Sequence, residues 1–89
     1  SEPIYFVEVQ FQKDEDLYWR LITEAVVYLN QYKPKRTWQA VVIWAKSSLD
    51  EGVPKAYEAF FNAGYIRIIY LDELEEVADT SIGMGIIKL

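Results

Sequence analysis

The residues with the clearest chemical potential are Glu8 and Gln10, which lie within the run YFVEVQFQ at residues 5–12. If this run is a β-strand, its period of two places both side chains on one face, about 6.5–7 Å apart. A carboxylate on a covered face is costly unless a partner compensates its charge. A divalent cation is one such partner, and the backbone carbonyl of Val9 could add an oxygen ligand. Gln10 could then orient a water molecule or hold a phosphate oxygen.

The same spacing has a simpler interpretation. Glu and Gln at alternate positions are more often a solvated strand face, and the spacing alone does not separate the two hypotheses. The rest of the composition limits the chemistry further, because the 89 residues include no cysteine and no histidine. Thiolate sites and the usual general base are therefore excluded. A hydrolase built from this chain needs carboxylates and a hard cation such as Mg²⁺.

Charge is unevenly distributed along the chain. The net charge of −5 disfavours binding to nucleic acid, because phosphate neutralisation drives most of that affinity. The acids crowd at residues 72–79, whereas Lys33, Lys35 and Arg36 form a small basic cluster. This cluster is either a solvated turn between a helix and a strand or a contact to the DNA backbone.

Hydrophobic periodicity predicts an α/β fold with the order strand–helix–strand–helix–strand. Leu17, Leu21, Ala25 and Leu29 recur at every fourth position, which is typical of an amphipathic helix. The predicted elements are a strand at 4–12, a helix that starts at 13–16 and ends near Tyr32, strands at 38–45 and 65–71, a helix from Pro54 to Gly64, and a short acidic helix at 72–78. Strands separated by helices predict parallel pairing.

The environment of the chain also follows from composition. Just over half of the residues are apolar, yet no apolar run approaches the roughly 20 residues that span a bilayer. The start lacks the layout of a signal peptide. We therefore expect a cytoplasmic protein without a membrane partner. The high apolar content also predicts that some of this surface faces another part of the same protein or a second copy.

Residues 3–14 (PIYFVEVQFQKD) resemble the central motif strand of Rpn-type proteins, the recombination-promoting nuclease and transposase family of the PD-(D/E)XK nuclease superfamily. The resemblance extends along the chain through Tyr18, Arg20, Glu24, Tyr28 and Leu29, the strand at 41–43, the segment at 70–74 and the closing segment at 83–85. It implies a β-α-β-α-β fragment of a restriction-endonuclease-like mixed sheet with flanking helices.

The resemblance also implies a function. Its members are similar to Mg²⁺-dependent DNA endonucleases, in which the metal polarises the scissile phosphate and helps to generate the attacking hydroxide. Mg²⁺ is then the expected cofactor and DNA the expected partner. The implied catalytic residues are Glu8 and Gln10, and the implied metal ligands are Glu8 and Val9. The residues expected to contact phosphate or DNA are Gln12, Arg20, Lys33, Lys35 and Arg36.

The superfamily pattern has a further aspartate on the preceding strand, and the sequence begins after that point. We therefore expect residues 1–89 to form a single domain that lacks the N-terminal strands and helix of the nuclease and is itself inactive. The alternative hypothesis is a catalytically dead remnant that acts as a structural or protein-interaction module. Either hypothesis leaves the strand at 4–12 with an unpaired edge, which predicts a homo-oligomer.

Overall fold

The structure, a computed structural model, describes residues 2–74. Its elements in chain order are β1 (Ile4–Gln10), α1 (Leu17–Tyr32), β2 (Trp38–Trp44), two 3₁₀ turns (Ser47–Leu49 and Lys55–Tyr57), α2 (Glu58–Asn62) and β3 (Ile66–Tyr70). Residues 71–74 are helical at the end of this range. The α/β class and the predicted order of strands and helices are confirmed.

The three strands form one sheet in the order β1-β2-β3, and both pairings are parallel. Glu8 lies opposite Val42, and Val42 lies opposite Ile68. The central strand, β2, contains the nearly continuous apolar run AVVIW at residues 40–44. Because the strands are parallel, their carboxyl ends meet at one edge of the sheet.

The hydrophobic core lies between one face of the sheet and the helices. Trp44, Val42 and Ile66 are almost completely buried on the sheet side. Ala40 also lies in this core, which α1 covers with Leu17, Tyr18, Leu21 and Ile22. The stripe predicted from the four-residue spacing is therefore the packing face of α1, since positions three and four apart share one side of a helix.

The two faces of β1 differ in their burial. Glu8 and Gln10 lie half-buried on the same face as Phe6, which packs against the core. Tyr5, Val7 and Val9 point the other way and are exposed by 52%, 56% and 47%. The uniformly apolar face of β1 is thus the one that the described residues leave open, whereas the polar pair lies on the covered side.

The first strand ends earlier than predicted. β1 stops at Gln10 instead of Gln12, because the Gln10 side chain bonds to the following backbone. Its Oε1 accepts the N–H groups of Phe11 at 3.0 Å and Gln12 at 3.3 Å. This local side-chain bonding competes with the strand ladder and bends the chain. Gln12 therefore does not share the strand face of Glu8.

The first helix begins later than predicted. α1 starts at Leu17 and not within residues 13–16. Residues 14–17 instead form a turn, in which the Leu17 N–H donates to the Asp14 carbonyl. Asp16 caps nothing with its side chain, whereas Asp14 Oδ1 accepts the Asp16 N–H at 3.0 Å. The predicted end at Tyr32 is confirmed, and Lys33 follows in the left-handed conformation with φ 44°.

The second helix is shorter than predicted. Residues 54–64 hold a 3₁₀ turn, the five-residue α2 and then Gly64 with φ 86°. β2 and β3 each fall short of their predicted ends by one residue or more. Of the predicted acidic helix at 72–78, residues 72–74 are helical; its remainder and the segment at 83–85 lie outside the described residues. Within residues 2–74, no helix has the length and apolar character needed to cross a membrane.

Candidate functional site

Arg20 joins two carboxylates at the carboxyl end of β1. Its Nη2 donates to Glu8 Oε1 at 2.5 Å, and its Nη1 donates to Asp14 Oδ2 at 2.9 Å. Arg20 lies in the first turn of α1, and helix side chains lean towards the N-terminus of their helix. The guanidinium therefore returns to the end of the strand that precedes the helix.

Asp14 is held from three sides. Besides Arg20, Gln10 Nε2 donates to its Oδ2 at 3.3 Å and the Asp16 N–H donates to its Oδ1. The hydrogen bond from Arg20 is the main cause that lowers the pKa of Asp14 below its ordinary value. The bonds to Glu8 and Asp14 raise the pKa of Arg20 in turn. Asp14 and Arg20 therefore both stay charged at neutral pH.

Gln10 supports this network with both ends of its amide. Its oxygen accepts the two backbone N–H groups that follow it, and its nitrogen reaches Asp14. The structure thus brings together Glu8, Gln10 and Arg20, three of the residues that the resemblance singles out. It adds Asp14, which lies within the predicted start of the helix at residues 13–16.

The backbone carbonyl of Val9 points away from β2. The Gln10 carbonyl accepts the Ala45 N–H from β2, and the Ile4 N–H donates to Thr37 on the same side. Successive backbone groups alternate along a strand, so the carbonyl of Val9 faces the outer edge of the sheet. Within residues 2–74, no strand pairs with that edge.

The donor chemistry at this end suits a hard cation. Mg²⁺ commonly takes one or two carboxylates and completes its shell with water and phosphate oxygens. Glu8 and the Val9 carbonyl are the residues that would hold it. Residues 2–74 contain no cluster of three or more acidic side chains that could hold a metal ion by themselves. A site with three acidic ligands would therefore need a residue from outside this range.

The basic cluster lies at the opposite end of the sheet. Arg36 donates from Nε to the Glu2 carbonyl at 2.9 Å and from Nη2 to the Pro3 carbonyl at 3.3 Å. Lys33 follows the end of α1, 13 residues beyond Arg20, which corresponds to about 20 Å along a helix. The residues expected to contact DNA therefore form two groups, Gln12 with Arg20 at one end and Lys33, Lys35 and Arg36 at the other.

A second polar network surrounds Asp50 near the carboxyl ends of β2 and β3. Its Oδ1 accepts the Tyr18 hydroxyl at 2.9 Å, and its Oδ2 accepts the Tyr70 hydroxyl at 2.6 Å. Trp44 Nε1 donates to the Tyr18 hydroxyl at 3.1 Å. Sequence reasoning missed this network. The available signal was that buried tyrosine and tryptophan rings need partners for their polar atoms.

Asp72 ties the ends of β2 and β3 together. Its carboxylate accepts the Ser47 N–H at 3.1 Å and the Ser47 hydroxyl at 3.2 Å. All three strands thus have acidic side chains near their carboxyl ends. In open parallel sheets, ligands generally bind at the carboxyl ends of the strands. The candidate site is therefore the carboxyl end of β1, where Glu8 and Arg20 lie.

The protein is thus an α/β protein with a parallel sheet, and it has a carboxylate–guanidinium cluster at the carboxyl end of its first strand. The chain belongs to the family described as "Protein of unknown function (DUF2887)", which matches it over residues 1–89. No curated protein and no solved structure matches the chain.

Proposed function

We propose that this protein is the metal-binding part of a Mg²⁺-dependent DNA endonuclease of the Rpn type, within the PD-(D/E)XK superfamily. The observation that carries this proposal is the position of Glu8. Its carboxylate lies half-buried on the covered face of β1 and bonds to Arg20. It also lies next to the Val9 carbonyl, which faces the side of β1 that no described strand pairs with. A solvated strand face, the simpler interpretation of the Glu–Gln spacing, would leave these side chains exposed.

The roles of the residues follow from their positions. Glu8 and the Val9 carbonyl bind the cation, and Gln10 keeps Asp14 and the end of the strand in place. Bound Mg²⁺ would polarise the scissile phosphate. Arg20 and Gln12 contact phosphate next to the cation. Phosphates of one DNA strand are spaced about 3.4 Å along the helix axis, so two protein sites about 20 Å apart and aligned with that axis would contact phosphates roughly six nucleotides apart.

We place the second carboxylate ligand on a strand that pairs with the outer edge of β1. The alternating backbone groups of Tyr5, Val7 and Val9 face this edge, and nothing in residues 2–74 pairs with them. A strand added there would bring its side chains next to Glu8. Residues 2–74 by themselves would then bind a cation weakly and leave DNA intact.

The test is cleavage of supercoiled plasmid DNA by the full-length gene product with and without Mg²⁺. Cleavage should need Mg²⁺ and should disappear in Glu8→Ala. Glu24→Ala is the matched control, since Glu24 is an exposed acid on α1 and its loss changes the net charge equally. The Glu8–Arg20 pair is partly exposed, so its loss should cost little stability. Undiminished cleavage by Glu8→Ala would contradict the proposal.

A second candidate function, a protein-interaction module without catalysis, is favoured by the exposed apolar face of β1. Tyr5, Val7 and Val9 are each about half exposed, next to the open edge of the strand. Exposed strand edges recruit other chains. We propose that a second copy of the chain binds there and forms a homo-oligomer.

Val7→Lys tests this second candidate, because a charge at a strand edge opposes pairing. Light scattering across a concentration series should show association of the wild type and a shift towards monomer in Val7→Lys. Val27→Lys introduces the same change at an equally exposed position on α1 and should leave association unaltered. A wild type that stays monomeric at every concentration removes the homo-oligomer, and metal-dependent cleavage by the full-length protein removes the non-catalytic module.

A further inference from the structure

We propose that Arg20 and a divalent cation compete for the Glu8 carboxylate, so that a cation binds only when the guanidinium releases Glu8. This inference rests on the proposed function, which makes Glu8 a metal ligand. In the structure the Glu8 carboxylate already has a cationic partner, because Arg20 Nη2 lies 2.5 Å from Oε1. Two positive groups on one carboxylate repel each other at such short range.

Arg20 has a second partner that can retain it when it leaves Glu8. Its Nη1 donates to Asp14 Oδ2 at 2.9 Å. Asp14 does not depend on Glu8 for its position, because Gln10 Nε2 and the Asp16 N–H both bind its carboxylate. A guanidinium has five N–H donors on a planar fork. It can therefore give up the bond to Glu8 and keep the bond to Asp14.

The exposure of the side chains leaves room for this movement. The Arg20 side chain is 37% exposed and those of its two acidic partners are 25% and 24% exposed. Water or a phosphate oxygen can therefore reach the guanidinium without unfolding α1. The pair is also weak enough to open, since partly exposed ion pairs contribute little net stability.

A DNA phosphate would shift this competition towards the cation. Arginine binds phosphate oxygens through paired, charge-assisted hydrogen bonds. A phosphate that takes the N–H groups of Arg20 leaves Glu8 free for the cation. The two ligands then favour each other, and by linkage each raises the affinity of the other equally. Arg20 thereby keeps the site from filling with cation until DNA is present.

The test measures Mn²⁺ binding without DNA, by paramagnetic broadening of backbone amide signals during a titration. Arg20→Gln removes the competing charge and should bind Mn²⁺ about fivefold more tightly than the wild type, which corresponds to an ion pair of about 1 kcal/mol. Arg67→Gln is the matched control, because Arg67 is exposed on the opposite face of the sheet and the change in net charge is the same. Its affinity should equal that of the wild type.

Two more variants complete the test. The gain in affinity should vanish when Glu8→Gln is added to Arg20→Gln. Arg20→Lys keeps the charge but loses the two-pronged geometry, so it should bind Mn²⁺ with an affinity between those of the wild type and Arg20→Gln. If Arg20→Gln does not fold, Arg20→Lys replaces it in the comparison with the wild type. Equal or weaker binding by Arg20→Gln, or by Arg20→Lys in its place, overturns the competition, as does a complete lack of Mn²⁺ binding in every variant.

The outcome is separable from that of the proposed function. Absence of cleavage by the full-length protein would remove the nuclease and leave a measured gain in Mn²⁺ affinity standing. Unaltered Mn²⁺ affinity in Arg20→Gln would remove the competition even if the full-length protein cleaves DNA.

Discussion

The Tyr18 hydroxyl lies 2.9 Å from the Asp50 carboxylate, across a separation of 32 residues in the sequence. Tyr18 is only 4% exposed and belongs to the first turn of α1, two residues before Arg20. Asp50 also accepts the Tyr70 hydroxyl, at the end of β3. This bond therefore fixes the start of α1 relative to the sheet, and with it the place from which Arg20 reaches Glu8.

Tyr18→Phe should destabilise the protein by about 1–3 kcal/mol, because it leaves the indole N–H of Trp44 without its acceptor in the core. Urea denaturation measures the change. Tyr32→Phe removes the same hydroxyl from a ring that is 60% exposed and should be nearly neutral. Equal effects of the two substitutions would argue against a structural role for the Asp50 network.

Alkaline pH should destabilise the fold through Tyr18 and Tyr70, the two tyrosines that donate to Asp50. Burial is the main cause that raises the pKa of Tyr18 and Tyr70 above the ordinary value of 10.0. A group whose pKa is raised on folding contributes stability that is fully present below the unfolded value and is lost as pH rises towards the folded one. We expect unfolding free energy to fall as pH rises above 10.

Phenolate absorbance during a pH titration checks this expectation. In the native protein, Tyr18 and Tyr70 should ionise at higher pH than the same residues in denaturant. The part of the absorbance change that occurs at the higher pH should be smaller in Tyr70→Phe. A native titration that superimposes on the denatured one would show that neither ring is shielded.

Acid pH should lower the stability of the fold through protonation of Asp14. Its pKa is lowered chiefly by the hydrogen bond from Arg20. A depressed pKa contributes stability that is present above the ordinary value of 3.8 and is lost as pH falls through the folded value. Wild type should therefore be more stable than Asp14→Asn at neutral pH, and the difference should narrow as pH falls below 3.8. Denaturation curves at several pH values measure it, and a constant difference would contradict the assignment.

Lys33 offers a test of backbone strain. It occupies the left-handed region with φ 44°, where a side chain costs about 1–2 kcal/mol. Lys33→Gly relieves this cost but loosens the unfolded chain, so the net gain should be about 0.5–1 kcal/mol. Thermal unfolding measures it. A destabilised variant would show that the bond from Lys33 Nζ to the Asn30 carbonyl outweighs the strain.

Some features of the candidate site were predictable from local patterns. Glu8 and Gln10 share a face of β1 because strand side chains alternate, and Arg20 lies on α1 because the apolar stripe around it has helical spacing. The pairing of Glu8 with Arg20 was not predictable. It depends on how α1 folds back over β1, which is a property of packing and not of spacing.

Element ends were the least predictable part of the fold. β1 stops where the Gln10 side chain bonds to the backbone, and α1 waits for the turn at Asp14. Such bonds form only once the neighbouring residues have taken their places. Periodicity carries no information about them.

The sequence by itself determined the class of the protein and the order of its elements, because the spacing of apolar residues is a local property. It also excluded thiolate and imidazole chemistry from these 89 residues, since histidine and cysteine are absent. Only the tertiary structure decided which face of β1 is covered, because both faces carry apolar residues and packing selects the one beneath α1. The same packing brought Arg20 onto Glu8 and Asp14, and Tyr18 onto Asp50.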